Sequence, residues 1–151
     1  MTKHAQKVLE DCKKTFAEFE PNLEGIYWRK KYILIIVLLR AVGHVLKKVD
    51  ANTSDVLRLS IDKWWANLTQ QKEPEIFLKF IEIERNNIVK EYKSEAVQIT
   101  HLIPFTNSKN QRIQHIMDSG FFKGRSQHEL IQEAIDWWEQ QLIEIQKSTS
   151  I

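Results

Sequence analysis

Apolar residues recur at helical spacing over most of this chain and divide it into five helical segments. The first covers roughly Ala5 to Glu20, with Val8, Leu9, Cys12, Phe16 and Phe19 at helical spacing, and Pro21 and Asn22 close it. The second runs from about Leu23 to Val49. Its positions Tyr27, Leu34, Leu38, Ala41 and Val45 form one apolar stripe, and Ile26, Ile33 and Val37 form another. A helix apolar on more than one side is enclosed by neighbours, so this one is expected at the centre of a bundle. The third starts near Asn52, read as an N-cap with Asp55 three residues on, and ends near Gln70; it carries Val56, Leu57, Ile61, Trp64, Trp65 and Leu68. The fourth begins at Pro74, a good first-turn residue, and continues to about Tyr92. The fifth opens with Ser126-Gln127-His128-Glu129, a capping-box pattern, and reaches about Gln146 along Ile131, Ile135, Trp138, Leu142 and Ile145.

A stretch of different character separates the last two helices. Val97 and Ile99 are β-prone, Pro104 to Asn110 holds turn residues, and Ile113 to Phe122 follows, closed by Gly120 and Gly124. The expected fold is one mainly α domain over residues 1–151: an up-and-down bundle of about five helices with a β-hairpin inserted before the last. Only four glycines and three prolines interrupt the chain, which suits long helices and argues against an all-β fold.

Composition narrows the function classes. With 22 Lys+Arg against 20 Asp+Glu, the charge is too balanced to imply nucleic-acid binding by itself; that needs a basic stripe. The run Arg29-Lys30-Lys31 is the best candidate for one, although such a run on a helix is also what a solvated face looks like. The eight apolar residues from Tyr32 to Leu39 are flanked by Lys30, Lys31 and Arg40 and are far short of the roughly 20 needed for a membrane span, so they read as core. Cys12 is the only cysteine and the N-terminus carries no signal-peptide pattern, so a cytoplasmic location is expected. There is no Gly-rich phosphate loop, and the five histidines are scattered without metal-ligand spacing, so neither a metal nor another cofactor is expected. His44 reads as a hydrogen-bonded core residue, and the Trp64-Trp65 and Trp137-Trp138 pairs read as packing residues.

The fourth helix carries the candidate chemistry. At about 100° per residue, Leu78, Ile81, Arg85, Val89 and Tyr92 share one face, and Ile76, Phe80, Ile83 and Asn87 the opposite one. Arg85 then projects from an apolar stripe, where it needs a carboxylate, a phosphate or a subunit boundary. Glu82 and Glu84 are the internal candidates for a structural salt bridge.

The segment Glu84-Arg85-Asn86-Asn87-Ile88-Val89-Lys90-Glu91-Tyr92 resembles the signature helix of the HEPN superfamily, whose signature is an arginine followed four to six residues later by a histidine. It is most similar to the Arg-x4-His-x-Tyr form of HEPN toxins paired with nucleotidyltransferases: Arg85, Asn86 and Tyr92 match, and Lys90 stands where the histidine would be. The phrases Phe80 to Asn86 and Ala134 to Glu139 are also similar to HEPN-type proteins of phage-defence and toxin–antitoxin systems. The resemblance implies a helical bundle, a homodimer, and a metal-independent RNA site in which the arginine holds the scissile phosphate and the histidine moves a proton. Lys90, protonated when exposed, implies a phosphate clamp rather than a base. Tyr92 is implied as the residue a partner nucleotidyltransferase modifies; its other reading is the end of an apolar stripe. The resulting expectation is a HEPN-like domain with a degenerate site, acting as a binding or regulatory component of a defence or toxin–antitoxin type system. Two alternatives remain: an active metal-independent ribonuclease centred on Arg85, in which His101 or His115 of the hairpin folds back beside it, and a helical interaction module unrelated to HEPN.

Overall fold

The computed structural model describes residues 1–70, 75–102 and 111–149. The expected helix start at Pro74 and the turn residues Pro104 to Asn110 lie outside the described residues. Helices α1 (Lys3–Ala17), α2 (Gly25–Lys48), α3 (Asp55–Gln70), α4 (Glu82–Glu91) and α5 (Gln127–Thr149) are joined by a 3₁₀ turn at Asp50–Asn52 and a π-helical segment, Ile76–Ile81, that leads into α4. Strands β1 (Ala96–Leu102) and β2 (Gln111–Met117) pair antiparallel before α5, with Val97 opposite Ile116 and Ile99 opposite Gln114. The protein is therefore mainly α, with the hairpin where the β-prone residues placed it. No helix among the described residues is long and apolar enough to cross a membrane.

Side-chain contacts fix the helix directions. α1 runs antiparallel to α2: Phe19, just past α1, lies by Tyr32, the Cys12 thiol reaches the Ile35 carbonyl, and His4 lies by Asp50. α5 runs parallel to α2, with Gln127 at Trp28 and Trp138 at Leu39. α3 is antiparallel to α5 through the Trp64–Gln141 and Ser60–Ile145 bonds, and α4 is antiparallel to α2 through the Arg40–Phe77 and Tyr32–Glu84 contacts. α3 and α4 thus share one direction.

α2 touches all four other helices and is central, as a helix apolar on several sides should be. Its buried side differs from both counted stripes. Tyr32, Ile35, Ile36, Leu39, Val42, Gly43 and Leu46 are buried, whereas Ile26, Tyr27, Leu34 and Val37 are exposed. Periodicity cannot rank faces when nearly every position is apolar. A close approach decides it: a Cβ on Gly43 would stand 3.1 Å from the Trp138 ring, so this face receives α5. Burial also pushes the Cys12 thiol up to about 12, which leaves it an inert core residue.

Two helix starts differ from expectation. Asn52 is not the cap of α3; its amide donates to the Lys48 carbonyl at the end of α2, and Ser54 accepts from the Leu57 N–H at 3.1 Å instead. The vacated polar role nearby falls to Asp50. Fully buried, it accepts from the backbone N–H of His4 at 3.1 Å and of Ala5 at 2.8 Å, so the first turn of α1 is capped from 45 residues away. The capping box of α5 is present in its first half, with Ser126 accepting from the Glu129 N–H at 3.4 Å.

The fourth helix shows the largest correction. Its buried residues are Phe77, Phe80, Ile81, Glu84 and Ile88, and Val89 and Tyr92 are exposed. The π-helical turn holds more residues than an α turn, so a count at 100° per residue drifts across it. The charge in the middle of the apolar stripe is Glu84, and Arg85 stands half-buried at the stripe's edge.

Candidate nucleic-acid interface

Glu84 sets the site's geometry. Its carboxylate accepts from the Tyr32 hydroxyl of α2 at 2.6 Å, the Ser94 hydroxyl at 2.6 Å and the Glu95 N–H at 2.9 Å. Every donor around this buried acid is thereby used, which is what makes its burial tolerable. Burial and the adjacent carboxylate hold the Tyr32 phenol well above its usual range, so it remains a donor at all physiological pH. The clamp joins α4 to α2 and to the start of β1, and the neighbouring residue, Arg85, is half-buried.

Arg85 donates to the Asn86 side chain at 3.1 Å and forms no ion pair among the described residues. Neither expected partner takes it: Glu84 is committed to its three donors, and Glu82 acts electrostatically on Arg40. Across the seam, Arg40 lies half-buried with its guanidinium 5.4 Å from the Phe77 ring centre. Its pKa is pushed down by burial and by Arg85, with Glu82 opposing. His44, one turn further along α2, is exposed rather than in the core. Burial of its ring and the positive charges of Arg40, Arg85, Lys47 and Lys48 all push its pKa down. Arg40, His44 and Arg85 therefore form one electropositive group, in which Arg85 disfavours the charged forms of Arg40 and His44.

The remaining candidates separate. Asn86 stays beside Arg85. Lys90 is exposed and lies about 140° around the helix from Arg85, so the two do not converge on one helix face. The Arg29-Lys30-Lys31 run splits: Arg29 borders a cleft between α2 and α4, Lys30 points to solvent, and Lys31 pairs with Glu18 of α1. Tyr92 ends α4 in the left-handed conformation and lines the same cleft. Along α2, Arg29, Ile33, Val37, Arg40 and His44 follow one another at helical spacing, so the cleft and the arginine group share one edge. Arg40 was not among the candidates read from the sequence, and His44 was read there as a core residue. Their i, i+4 spacing in line with Arg29 was the available signal.

Neither hairpin histidine is held beside Arg85. His101 pairs with Gln114 on the hairpin itself. His115 stacks on Trp28 with ring centres 5.6 Å apart and bonds the Leu23 carbonyl at 2.9 Å, while His128 of α5 bonds the Phe19 carbonyl and stacks on Phe19. Gln127 fixes this end of the molecule by donating to the Val97 and Ile116 carbonyls and accepting from the Trp28 indole. Burial, with His128 nearby, pushes the His115 pKa below its ordinary 6.5. The folded chain thus keeps His115 uncharged where the unfolded chain already binds the proton. Stability is complete above about pH 6.5 and falls as the pH drops towards the folded pKa. Urea midpoints between pH 8 and pH 5 are expected to decline. They should decline less steeply in His115→Phe, which keeps a ring on Trp28; an equal decline would assign the acid sensitivity elsewhere.

No group of three or more His, Cys, Asp or Glu suited to a metal ion occurs among the described residues. Compared with protein-family models, curated proteins and solved structures, the chain matches none.

Proposed function

We propose that this chain is a HEPN-like RNA-binding domain whose phosphate site is Arg85, with Asn86, together with Arg40 and His44 of α2, and that it serves as a binding or regulatory component of a defence or toxin–antitoxin type system. The observation that carries this reading is the arginine pair. Two half-buried guanidiniums sit in each other's field with no carboxylate bonded to either among the described residues. Arg85 disfavours the charge of Arg40 while Glu82 favours it, and an anion that enters the group adds a second favourable partner. A phosphodiester suits the forked, permanently charged guanidinium. The exposed apolar side chains of Leu34, Val37 and Val89 on the same two helices support a homodimer on this side of the bundle, in which two Arg85 residues approach one another. A monomeric mass in sedimentation at micromolar concentration would remove the dimer from this reading.

Fluorescence anisotropy with a labelled RNA tests the phosphate site. The affinity is expected to fall with salt, and Arg85→Ala is expected to weaken binding of all sequences alike and to reduce the salt slope by about one. His44 adds a pH signature. Its pKa is depressed in the free protein, so RNA phosphate favours its protonated form, and affinity rises as the pH falls below the ordinary histidine range. Binding that is indifferent to Arg85 and to pH would reject the site.

A second reading, an active ribonuclease, gains from one observation. His44, uncharged at neutral pH by the causes given, stands in the field of Arg85 and is a base of the type the family motif places four to six residues after its arginine. RNA cleavage that survives EDTA and is lost in both Arg85→Ala and His44→Ala would establish it. An inert wild type leaves the binding role.

A further inference from the structure

The cleft between α2 and α4 lies at the far end of the arginine edge. It encloses about 200 Å³ and is lined by Trp28, Arg29, Ile33, Ile88, Tyr92 and Lys93, among others. From Arg85 to Tyr92 is seven residues, roughly 10 Å along the helix. We infer that this cleft is a nucleobase subsite that holds an unstacked base of single-stranded RNA, with Tyr92 as the stacking ring and Arg29 and Lys93 as contacts to the flanking phosphate. The inference rests on the phosphate-site reading above.

Three features of the cleft point this way. Its walls are apolar and aromatic (Trp28, Ile33, Ile88), and its mouth carries two exposed cations, Arg29 and Lys93, of which Lys93 lies 4.0 Å from an exposed Glu91. A base with an attached phosphate matches that division between apolar floor and charged rim. The available ring is Tyr92. Trp28 is already covered by His115, its centroid 5.6 Å away in a parallel stack, and by Tyr32 at 6.1 Å, whereas Tyr92 is 68% exposed. Finally, Tyr92 occupies a position its own backbone disfavours. It is the left-handed residue that ends α4, at φ 52°, with its N–H on the Ile88 carbonyl and the Lys93 N–H on the Asn87 carbonyl, a place glycine or asparagine fills more comfortably. An exposed aromatic held there at a conformational cost is accounted for by what its ring touches.

The hydroxyl groups that line the cleft are already engaged. The Tyr32 and Ser94 hydroxyls both donate to Glu84, and Ser94 also accepts from the Ala96 N–H. Few groups remain to read a base edge, so the subsite discriminates single-stranded from paired RNA rather than one base from another.

The test uses Tyr92→Gly, because glycine suits the left-handed position and the variant should fold as well as wild type or better. Adenosine and uridine 5′-monophosphate are titrated into labelled protein while the Lys93 and Ser94 amide resonances are followed by NMR, with inorganic phosphate as control. The nucleotides, and not phosphate, are expected to shift both amides in wild type, and the shifts should vanish in Tyr92→Gly. A single-stranded oligoribonucleotide should bind Tyr92→Gly roughly tenfold or more weakly than wild type, and an abasic one equally to both. Absence of nucleotide shifts overturns the base subsite whatever the oligonucleotide does. Oligonucleotide binding that needs Arg85 but ignores Tyr92 and the bases overturns it too, and leaves the phosphate site standing.

Discussion

Trp138→Ala is expected to lower the unfolding free energy by about 4 kcal/mol, the usual loss when a buried tryptophan is truncated. Trp138 is fully buried and sits at the meeting point of three helices and the π-helical segment. Its ring lies 5.9 Å from Trp64, 5.9 Å edge-on from Phe77 and 4.7 Å from Trp137, and its indole N–H donates to the Leu39 carbonyl at 2.8 Å. On the α2 side Gly43 brings only backbone to the ring and has no side chain to fill the space. A domain of this size is stable by roughly 5–15 kcal/mol, so the variant should lose between about a quarter and four fifths of its stability. Trp138→Phe should cost less than the alanine variant, because Leu39 keeps its helical hydrogen bond and only part of the volume is lost. Similar midpoints for both variants would show that the aromatic cluster is not the centre of the core.

The second large effect is at Glu84. Glu84→Ala removes the acceptor of a buried phenol, a serine hydroxyl and a backbone N–H together, and an orphaned buried donor costs about 1–3 kcal/mol. A loss of about 3 kcal/mol is expected by chemical denaturation, with the α4–β1 junction loosened first. Glu84→Gln keeps one acceptor oxygen and should lose about half as much. Tyr32→Phe added to Glu84→Ala should recover part of the loss, because it removes the orphaned hydroxyl; strictly additive losses would mean that the bond is not energetically coupled.

These two residues also mark what the sequence made legible. The aromatic pairs were readable as packing because tryptophan at helical spacing has few other stable places in a bundle, and the structure puts Trp138 in the centre. The five helices and the hairpin were readable for the same reason: apolar period and breaker residues carry that information locally. Glu84 was not readable. Its acceptance into the core depends on Tyr32, 52 residues away, and its phase depends on a π-helical segment that the sequence does not announce. Asp50 is a similar case, since capping a helix 45 residues distant leaves no local pattern. Arg85 was singled out for projecting from the apolar stripe. The structure leaves it half-buried at the edge of that stripe, in the field of Arg40 and His44 and without an ion pair among the described residues. Arg40 was not singled out and His44 was read as core because α2 reads first as a core helix, and residues on its solvent edge are obscured by the apolar run they interrupt.

The most direct test of the phosphate site measures RNA affinity and thermal melting together for Arg85→Gln. If Arg85 disfavours the charge of Arg40 for the sake of an anion, the substitution should leave the melting temperature unchanged or raise it, while RNA affinity falls several-fold. A variant that melts earlier yet binds RNA as wild type does would contradict the account, and would make Arg85 a structural residue of the α2–α4 seam.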